Sequence, residues 1–231
     1  MRSRLALSML ALSFAAAAPS ALAGQRSALR EVRGGDRGRG GFGLSFVVGD
    51  PMGDFARYGD VAGGLNLFGA FPLGRSGALD LRLDGSWFFY GHDGYGNGLS
   101  TTYSIGTLGI GPQLNFGEGP VRAYGFATVG GSLFYTATEY RDYCGCYGSE
   151  TLYDDGHFTT ATQLGAGLLL TVSRRRSPVA IDLGVRDLRN DRVTYVPTGG
   201  VTQNSDGSFT VDHVTTPVRL RVYHFGVSFG F

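Results

Sequence analysis

The most reactive side chains in this sequence are two cysteines that stand one residue apart. Cys144 and Cys146 occur in the stretch YRDYCGCYGS and are the only cysteines. In an exported chain they could form a disulfide with each other or with another chain, although a bridge across a single residue is strained. Free thiols and a metal site are the alternatives. His157 and Asp154-Asp155 follow nearby, but no recognised ligand spacing links them to the two thiols.

Nucleophilic catalysis would need a base held beside a nucleophile, and the nearest such pairing is His224 with Ser228. Four residues along a strand separate the two by about 13 Å, which is too far for direct contact. A structural hydrogen bond from His224 to Asp182 or Asp84 is the simpler expectation. Glycine-rich stretches such as GIGPQ lack the lysine of a phosphate-binding loop. We therefore expect no enzymatic activity and no cofactor.

Charged side chains recur at alternate positions in two segments that otherwise read as β-strands. Asp80, Arg82 and Asp84 share one face of ALDLRLDGSWFFY, and Asp182 and Arg186 share one face of VAIDLGVRDL. Because buried charges are seldom left unpaired, this pattern predicts a network of charges inside the fold. A gate or a narrow ion path is the alternative role for the same residues.

The elements that position these residues are eight runs with period-two alternation, separated by turn-forming clusters. In the third run Leu79, Leu81, Leu83, Trp87 and Phe89 share the face opposite the charges. The runs are 42–49, 64–71, 78–90, 103–116, 122–136, 158–172, 179–188 and 218–231. The fifth alternates poorly near Gly130-Gly131, which favours a bulge or a bend there.

The connections between the runs alternate in length. Short ones follow runs two, four and six (72–77, 117–121 and 173–178), whereas long ones follow runs one, three, five and seven (50–63, 91–102, 137–157 and 189–217). Transmembrane β-barrels sort their loops in this way, with the long loops outside. The sequence therefore predicts an all-β fold, an eight-stranded antiparallel transmembrane up-and-down β-barrel. Eight strands leave a lumen that side chains can fill, and we expect polar and small residues to fill it.

The N-terminal segment predicts export. Arg2 and Arg4 precede an apolar run, and Ala21-Leu22-Ala23 has the form of a cleavage site, so residues 1–23 are interpreted as a signal peptide. Residues 24–40 are rich in Gly and Arg and are expected to be a flexible periplasmic tail. The barrel domain then covers 41–231. Without Arg2 and Arg4 the chain has 18 Arg and 19 acidic residues, so it is not a general binder of polyanions such as nucleic acid.

The sequence closes on YHFGVSFGF, in which Tyr223, Phe225, Val227, Phe229 and Phe231 take every second place. Together with the signal peptide and the eight alternating runs, this ending resembles the small outer-membrane β-barrel family that includes OmpA-like, OmpX-like and opacity-type porins. The resemblance covers about 42–231. It implies that Tyr223, Phe225, Phe229 and Phe231 serve as the signal read by the barrel-assembly machinery.

The expected location is the bacterial outer membrane, and the expected role is structural or an interaction at the cell surface through the long loops. The alternative is a narrow porin-like channel for small solutes, and an envelope lipid-modifying enzyme is a weaker one. Expected partners are outer-membrane lipid and a surface ligand at the loops. By resemblance, the barrel-assembly machinery and periplasmic chaperones are expected as well.

Overall fold

The computed structural model describes residues 40–74, 77–95, 98–117, 119–140, 150–173, 178–206 and 208–230. The predicted signal peptide, all but the last residue of the predicted tail, Cys144, Cys146 and Phe231 lie outside these residues.

The described chain contains ten β-strands and one short 3-10 helix, Gly53–Arg57. The strands are β1 (Gly41–Met52), β2 (Ala62–Pro72), β3 (Leu79–Gly94), β4 (Leu99–Phe116), β5 (Val121–Tyr140), β6 (Glu150–Ser173), β7 (Val179–Tyr195), β8 (Val201–Gln203), β9 (Phe209–Val211) and β10 (Val214–Gly230). None of the helices in the described ranges is long and apolar enough to cross a bilayer.

Eight of these strands close into one barrel, in the order β1-β10-β7-β6-β5-β4-β3-β2. The seam is the antiparallel pair of β1 and β10, which runs in register from Gly41 opposite Gly230 to Met52 opposite Arg219. Each strand otherwise pairs with its neighbour in the chain, apart from the separate hairpin of β8 and β9. The predicted eight-stranded up-and-down barrel is confirmed.

The outward face of the barrel is an apolar belt. Its exposed side chains include Phe46, Leu108, Val129, Leu164 and Phe225, each with more than half of its surface accessible. Exposed apolar area on this scale is unfavourable in water but is what lipid requires, and a closed barrel leaves no unpaired strand edge in the bilayer. The belt is therefore the membrane-spanning surface, and the predicted outward phase of Leu79, Leu83, Trp87 and Phe89 agrees with it.

The strands extend further on the long-loop side than the sequence pattern predicts. β3 continues to Gly94 and β4 begins at Leu99, while β5 continues to Tyr140 and β6 begins at Glu150. The predicted loops 91–102 and 137–157 are therefore largely strand. The alternation of apolar and polar residues ends where the lipid ends, but backbone pairing continues beyond that point.

Gly130 and Gly131 do not form the expected bulge, because β5 passes through both in regular register with β4. The glycines are needed for close approach instead. A Cβ on Gly130 would overlap the carbonyl oxygen of Leu108, and one on Gly131 would overlap the ring of Phe158. Register shifts lie elsewhere, at Phe89/Gly91, Thr138/Glu139, Thr171/Ser173 and Pro217/Val218.

Candidate functional site

The inward face of the barrel brings charged residues from opposite walls into contact. Asp84 on β3 lies between two arginines: Nε and Nη2 of Arg82 donate to its Oδ2 at 2.9 and 2.7 Å, and Nη1 of Arg186 on β7 donates to its Oδ1 at 2.7 Å. All three side chains are essentially inaccessible to solvent. Two cations around one carboxylate leave a formal positive charge, so neighbouring dipoles must help to stabilise the group.

Neutral polar side chains supply part of that stabilisation. Asn66 Nδ2 donates to Asp84 Oδ1 at 2.8 Å, and Arg186 Nη2 donates to the Ser86 hydroxyl at 2.7 Å. Asn66 also lies 3.0 Å from that hydroxyl. The carboxylate is thus held by three side chains on three strands, β2, β3 and β7.

The guanidinium of Arg82 is also held by two aromatic rings. Its Cζ lies 3.9 Å from the ring centroid of Phe68 and 4.2 Å from that of Phe126. A weakly hydrated guanidinium between two aromatic faces gains cation–π attraction that is strongest away from water. Phe68 and Phe126 therefore fill this part of the lumen and at the same time stabilise the buried charge of Arg82.

Asp80 joins the same network through two amides. Arg82 Nη1 donates to Gln113 at 2.8 Å, Gln113 donates to Asn115 at 2.8 Å, and Asn115 donates to Asp80 at 2.7 Å. The chain of contacts runs toward the end of the barrel that carries the short turns. Four of the five predicted charged residues, Asp80, Arg82, Asp84 and Arg186, are therefore linked.

Asp182 belongs to a second buried group with Tyr124 and His224. The Tyr124 hydroxyl lies 2.7 Å from Asp182 Oδ1 and 2.8 Å from His224 Nε2, while His224 Nε2 and Asp182 Oδ1 are 3.4 Å apart. His224 was expected to bond Asp182 or Asp84. It lies beside Asp182, with the phenol of Tyr124 as the intermediary. Arg82 lies 5.7 Å from the Tyr124 ring, so the two groups are neighbours.

The sequence pattern did not identify the aromatic members of the lumen. In the sequence, Tyr124, Phe68 and Phe126 were not associated with the charges. Their signal was available, because each occupies an inward position of its strand. Polar and small residues were expected to fill the lumen, and these three aromatic rings correct that expectation.

Above the charges, on the long-loop side, the lumen is filled by apolar and aromatic side chains rather than by the polar residues that were expected. Phe55 of the 3-10 helix is fully buried there and packs edge-on against Tyr90 and Tyr195 at ring-centroid distances of 5.6 Å. Leu188, Leu220 and Val222 point into the same cluster. We call this cluster the aromatic plug. It forms because the inward side chains at this level of the barrel are apolar or aromatic and pack on one another.

The connection between β7 and β10 lies over the plug and is fastened to the barrel. The hydroxyl of Tyr90 donates to the carbonyl of Val196 at 3.0 Å, and that of Tyr95 donates to the carbonyl of Val201 at 2.6 Å. Asp93 accepts hydrogen bonds from Tyr103 and from the backbone of Gly199, both at 2.8 Å. The long loop therefore forms a cap on the barrel.

The part of the barrel beyond the apolar belt on this side is acidic, and we call it the outer rim. It comprises the described residues of 50–60, 91–101, 137–140, 150–157 and 189–217. These ranges contain 11 Asp or Glu residues and three Arg residues. The surface that the loops present therefore has a strong negative charge.

At the upper edge of the belt, Arg219 forms a bidentate pair with Asp187 on the outer wall, with distances of 2.9 and 2.7 Å. Arg189 reaches the same carboxylate at 2.7 Å. Charged side chains on the lipid side mark the level at which the bilayer core ends.

The residues proposed as an assembly signal lie on the outward face of β10 where the structure describes them. Tyr223 and Phe225 are well exposed to the membrane side, and the ring of Phe229 stacks on Phe42 of β1 at a centroid distance of 5.1 Å. Their role in assembly stays a prediction.

No protein-family model matches the sequence, and no curated protein is significantly similar to it. The fold, however, is similar to that of solved structures. Neisserial surface protein A (NspA) has 12% sequence identity and a TM-score of 0.55, over 85% of this chain and 100% of that chain. Ail, the attachment invasion locus protein of Yersinia pestis, in complex with the heparin analogue sucrose octasulfate, has 12% identity and a TM-score of 0.51 over the same shares. The chain therefore has the fold of small outer-membrane β-barrel proteins, as the sequence resemblance implied.

Proposed function

We propose that this chain is a non-enzymatic β-barrel protein of a bacterial outer membrane that anchors an interaction surface, the acidic outer rim, outside the cell. The observation that carries the proposal is the filled lumen. Charges that pair across the barrel occupy one part of it, and the aromatic plug and its cap occupy the other. With the wall facing lipid and the interior occupied, the rim is the surface left for a partner.

The charge of the rim indicates the kind of partner. An excess of carboxylates attracts cationic ligands and repels anionic ones, most strongly at low ionic strength. The similar barrel Ail was solved with a sulfated, anionic sugar. The rim of this chain has the opposite preference, so we propose a cationic surface ligand here.

The remaining proposed partners follow from the shape and location. The belt contacts outer-membrane lipid, and the aromatic residues of β10 are recognised by the barrel-assembly machinery after delivery by periplasmic chaperones. Nucleic acid is not a proposed partner, because the rim repels phosphates. Enzymatic activity is not proposed either, because His224, the candidate base, is hydrogen-bonded to Tyr124 in a buried group.

One observation favours the second function, a narrow channel. Between the charged network and the plug lies a band of inward polar side chains whose polar atoms include several without a hydrogen-bond partner among the described residues. These are Thr107, Thr128, Ser132 and Gln163. Buried polar groups of this kind bind water when space permits. For ions or small solutes to pass through this band, the aromatic plug would have to move.

Surface binding tests the leading proposal. The full chain in lipid vesicles should bind a fluorescent polylysine peptide, and added salt should weaken that binding. Changing Glu139→Gln, Glu150→Gln and Asp154→Asn together should weaken it further, whereas the luminal change Asp80→Asn should not. Binding of heparin in preference to polylysine would contradict the proposal.

Planar-bilayer recordings separate the two functions. We expect no discrete openings from the wild-type protein. Openings whose conductance or ion selectivity changes in Asp80→Asn, but not in the rim control Asp206→Asn, would instead support the channel.

A further inference from the structure

Three potential metal ligands meet on the outer rim, although the sequence separates them widely. Asp155 and His157 lie on β6 beyond the apolar belt, at positions that face inward like Thr159 and Ala161 below them. His213 precedes β10, at the end of the cap connection, and stands 58 positions after Asp155. β6 and β10 are not neighbours in the barrel, since β7 lies between them. The contact therefore depends on the folded cap.

The ligand atoms converge on one point. Nε2 of His213 lies 3.0 Å from Oδ2 of Asp155, and Nε2 of His157 lies 3.2 Å from the same oxygen. All three atoms lie within 4.8 Å of one another. Bond lengths of about 2.0–2.1 Å to zinc place neighbouring ligand atoms of a tetrahedral site about 3.3 Å apart. The two distances to the carboxylate, 3.0 and 3.2 Å, are close to this value, and a small rotation of the imidazoles would adjust the separation of the two nitrogens.

Hydrogen bonding alone does not explain the arrangement. His213 Nε2 has both the distance and the angles of a hydrogen bond to Asp155 Oδ2. His157 Nε2 is close enough to the same oxygen, at 3.2 Å, but does not form a hydrogen bond with it. This nitrogen is shielded from solvent and has no hydrogen-bond partner among the described residues. A buried imidazole nitrogen that points at a carboxylate without bonding it is in the position of a metal ligand.

We propose that Asp155, His157 and His213 bind a divalent transition-metal ion of the zinc class. Two imidazoles and one carboxylate favour zinc, copper, nickel or cobalt over calcium and magnesium, which prefer oxygen ligands alone. Three protein ligands leave one tetrahedral position open to water or to a group of a partner. The metal takes the place of the hydrogen bond between His213 Nε2 and Asp155, and the bound imidazole is neutral, with its remaining ring proton on Nδ1.

The surroundings suit a cation and allow it to reach the site. The side chains of His157 and His213 are 38% and 40% exposed, so the site is open from outside the cell. Asp154, on the outward face of β6, adds negative charge to this part of the rim.

A bound metal would fasten the cap to β6 and so link the end of the last connection to the barrel wall. Because the ion binds the folded rim and not a detached cap, it stabilises the closed arrangement by mass action. The inference does not depend on the acidic rim having a macromolecular partner.

Zinc titration of the full chain refolded in detergent tests the proposal, with zinc chloride as the probe. Calorimetry should give one site per chain. His157→Gln and His213→Gln should each weaken binding at least tenfold, since even the loss of an outer-shell partner costs about 10–100-fold. The matched control is His92→Gln, on the same rim but bonded to Thr102; it should bind zinc like the wild type.

A second pair of variants separates this site from the cysteines. Cys144→Ser with Cys146→Ser should leave zinc affinity unchanged, and the cobalt-substituted protein should lack thiolate charge-transfer absorption. Heat-modifiable gel migration shows that each variant has a folded barrel. Zinc binding that survives His213→Gln, is lost with the two serines, or is absent at millimolar zinc would overturn the assignment.

Discussion

Arg186 on β7 and Asp84 on β3 lie on opposite walls of the barrel, with three strands between them on either side, and they are joined by a 2.7 Å hydrogen bond across the lumen. A contact between opposite walls cannot form until the barrel has closed. The pair therefore ties the stability of the interior to closure of the sheet. It also occupies the axis along which a solute would have to pass.

Removal of one partner of this pair should be costly. Arg186→Met leaves Asp84 with Arg82 and takes away a hydrogen-bonded cation from a buried carboxylate. Because Asp84 keeps Arg82, the expected loss is that of a buried charge-assisted hydrogen bond, about 1.5–3 kcal/mol. Urea unfolding of the protein in lipid vesicles, followed by the fluorescence of Trp87, measures the loss.

The control for Arg186→Met is Arg189→Gln, which breaks an ion pair of an arginine that is 61% exposed. Exposed pairs contribute about 0–1 kcal/mol, so its unfolding midpoint should hardly move. Equal losses in the two variants would show that the luminal network does not support the barrel.

The aromatic plug should depend on Phe55. Phe55→Ala removes a fully buried ring that packs on Tyr90 and Tyr195, and such truncations cost about 3–5 kcal/mol. Val61→Ala, at an exposed residue that follows the same short helix, should have little effect. Hydrogen exchange of the 196–201 segment should rise in Phe55→Ala alone. Unchanged exchange there would contradict the packing of the cap on the plug.

Replacing either of two adjacent glycines of β2 with alanine should have different effects on the stability of the barrel. A Cβ on Gly64 would overlap the Trp87 carbonyl oxygen of the paired strand, whereas one on Gly63 would meet open space. Because backbone cannot move aside as a flexible side chain can, Gly64→Ala should destabilise the barrel by about 1–3 kcal/mol or more. Gly63→Ala should be neutral or slightly stabilising. Parallel urea titrations of the two variants measure these changes in stability, and equal unfolding midpoints would contradict the prediction.

Deletion of Phe231 should slow assembly in cells, if the end of the chain is the assembly signal. The amount of heat-modifiable protein in the outer-membrane fraction should fall, while protein refolded in vitro should keep its urea midpoint. Ser228→Ala, on the inward face of the same strand, should assemble normally. An equal fall for both variants would point to a folding defect rather than to recognition.

Sequence alone was sufficient for the fold because period-two alternation is a direct consequence of a two-faced sheet. Leu81 and Arg82 differ by one position and therefore had to face opposite sides. The same logic assigned Asp84 and Asp182 to the inward face. It could not show which inward residues touch, because contacts across the lumen depend on the stagger of the barrel.

Other features could not be predicted from the sequence, for different physical reasons. The strand extensions to Gly94 and Tyr140 lie outside the lipid, where alternation loses its apolar signal. Phe55 belongs to a connection rather than to a strand, so its burial in the plug had no periodic pattern to reveal it. The approach of His213 to Asp155 requires the cap to fold back over β6, which no local spacing indicates.

The most direct test of the central claim, that the apolar faces point to lipid and the charges to a filled interior, uses Trp87, the single tryptophan of the chain. In vesicles of brominated lipid, its fluorescence should be strongly quenched and its emission shifted to the blue. Moving the indole one place inward, with Trp87→Phe and Phe88→Trp in a folded barrel, should abolish quenching by the lipid. Wild-type fluorescence that is not quenched by brominated lipid but is quenched by iodide in water would contradict the account.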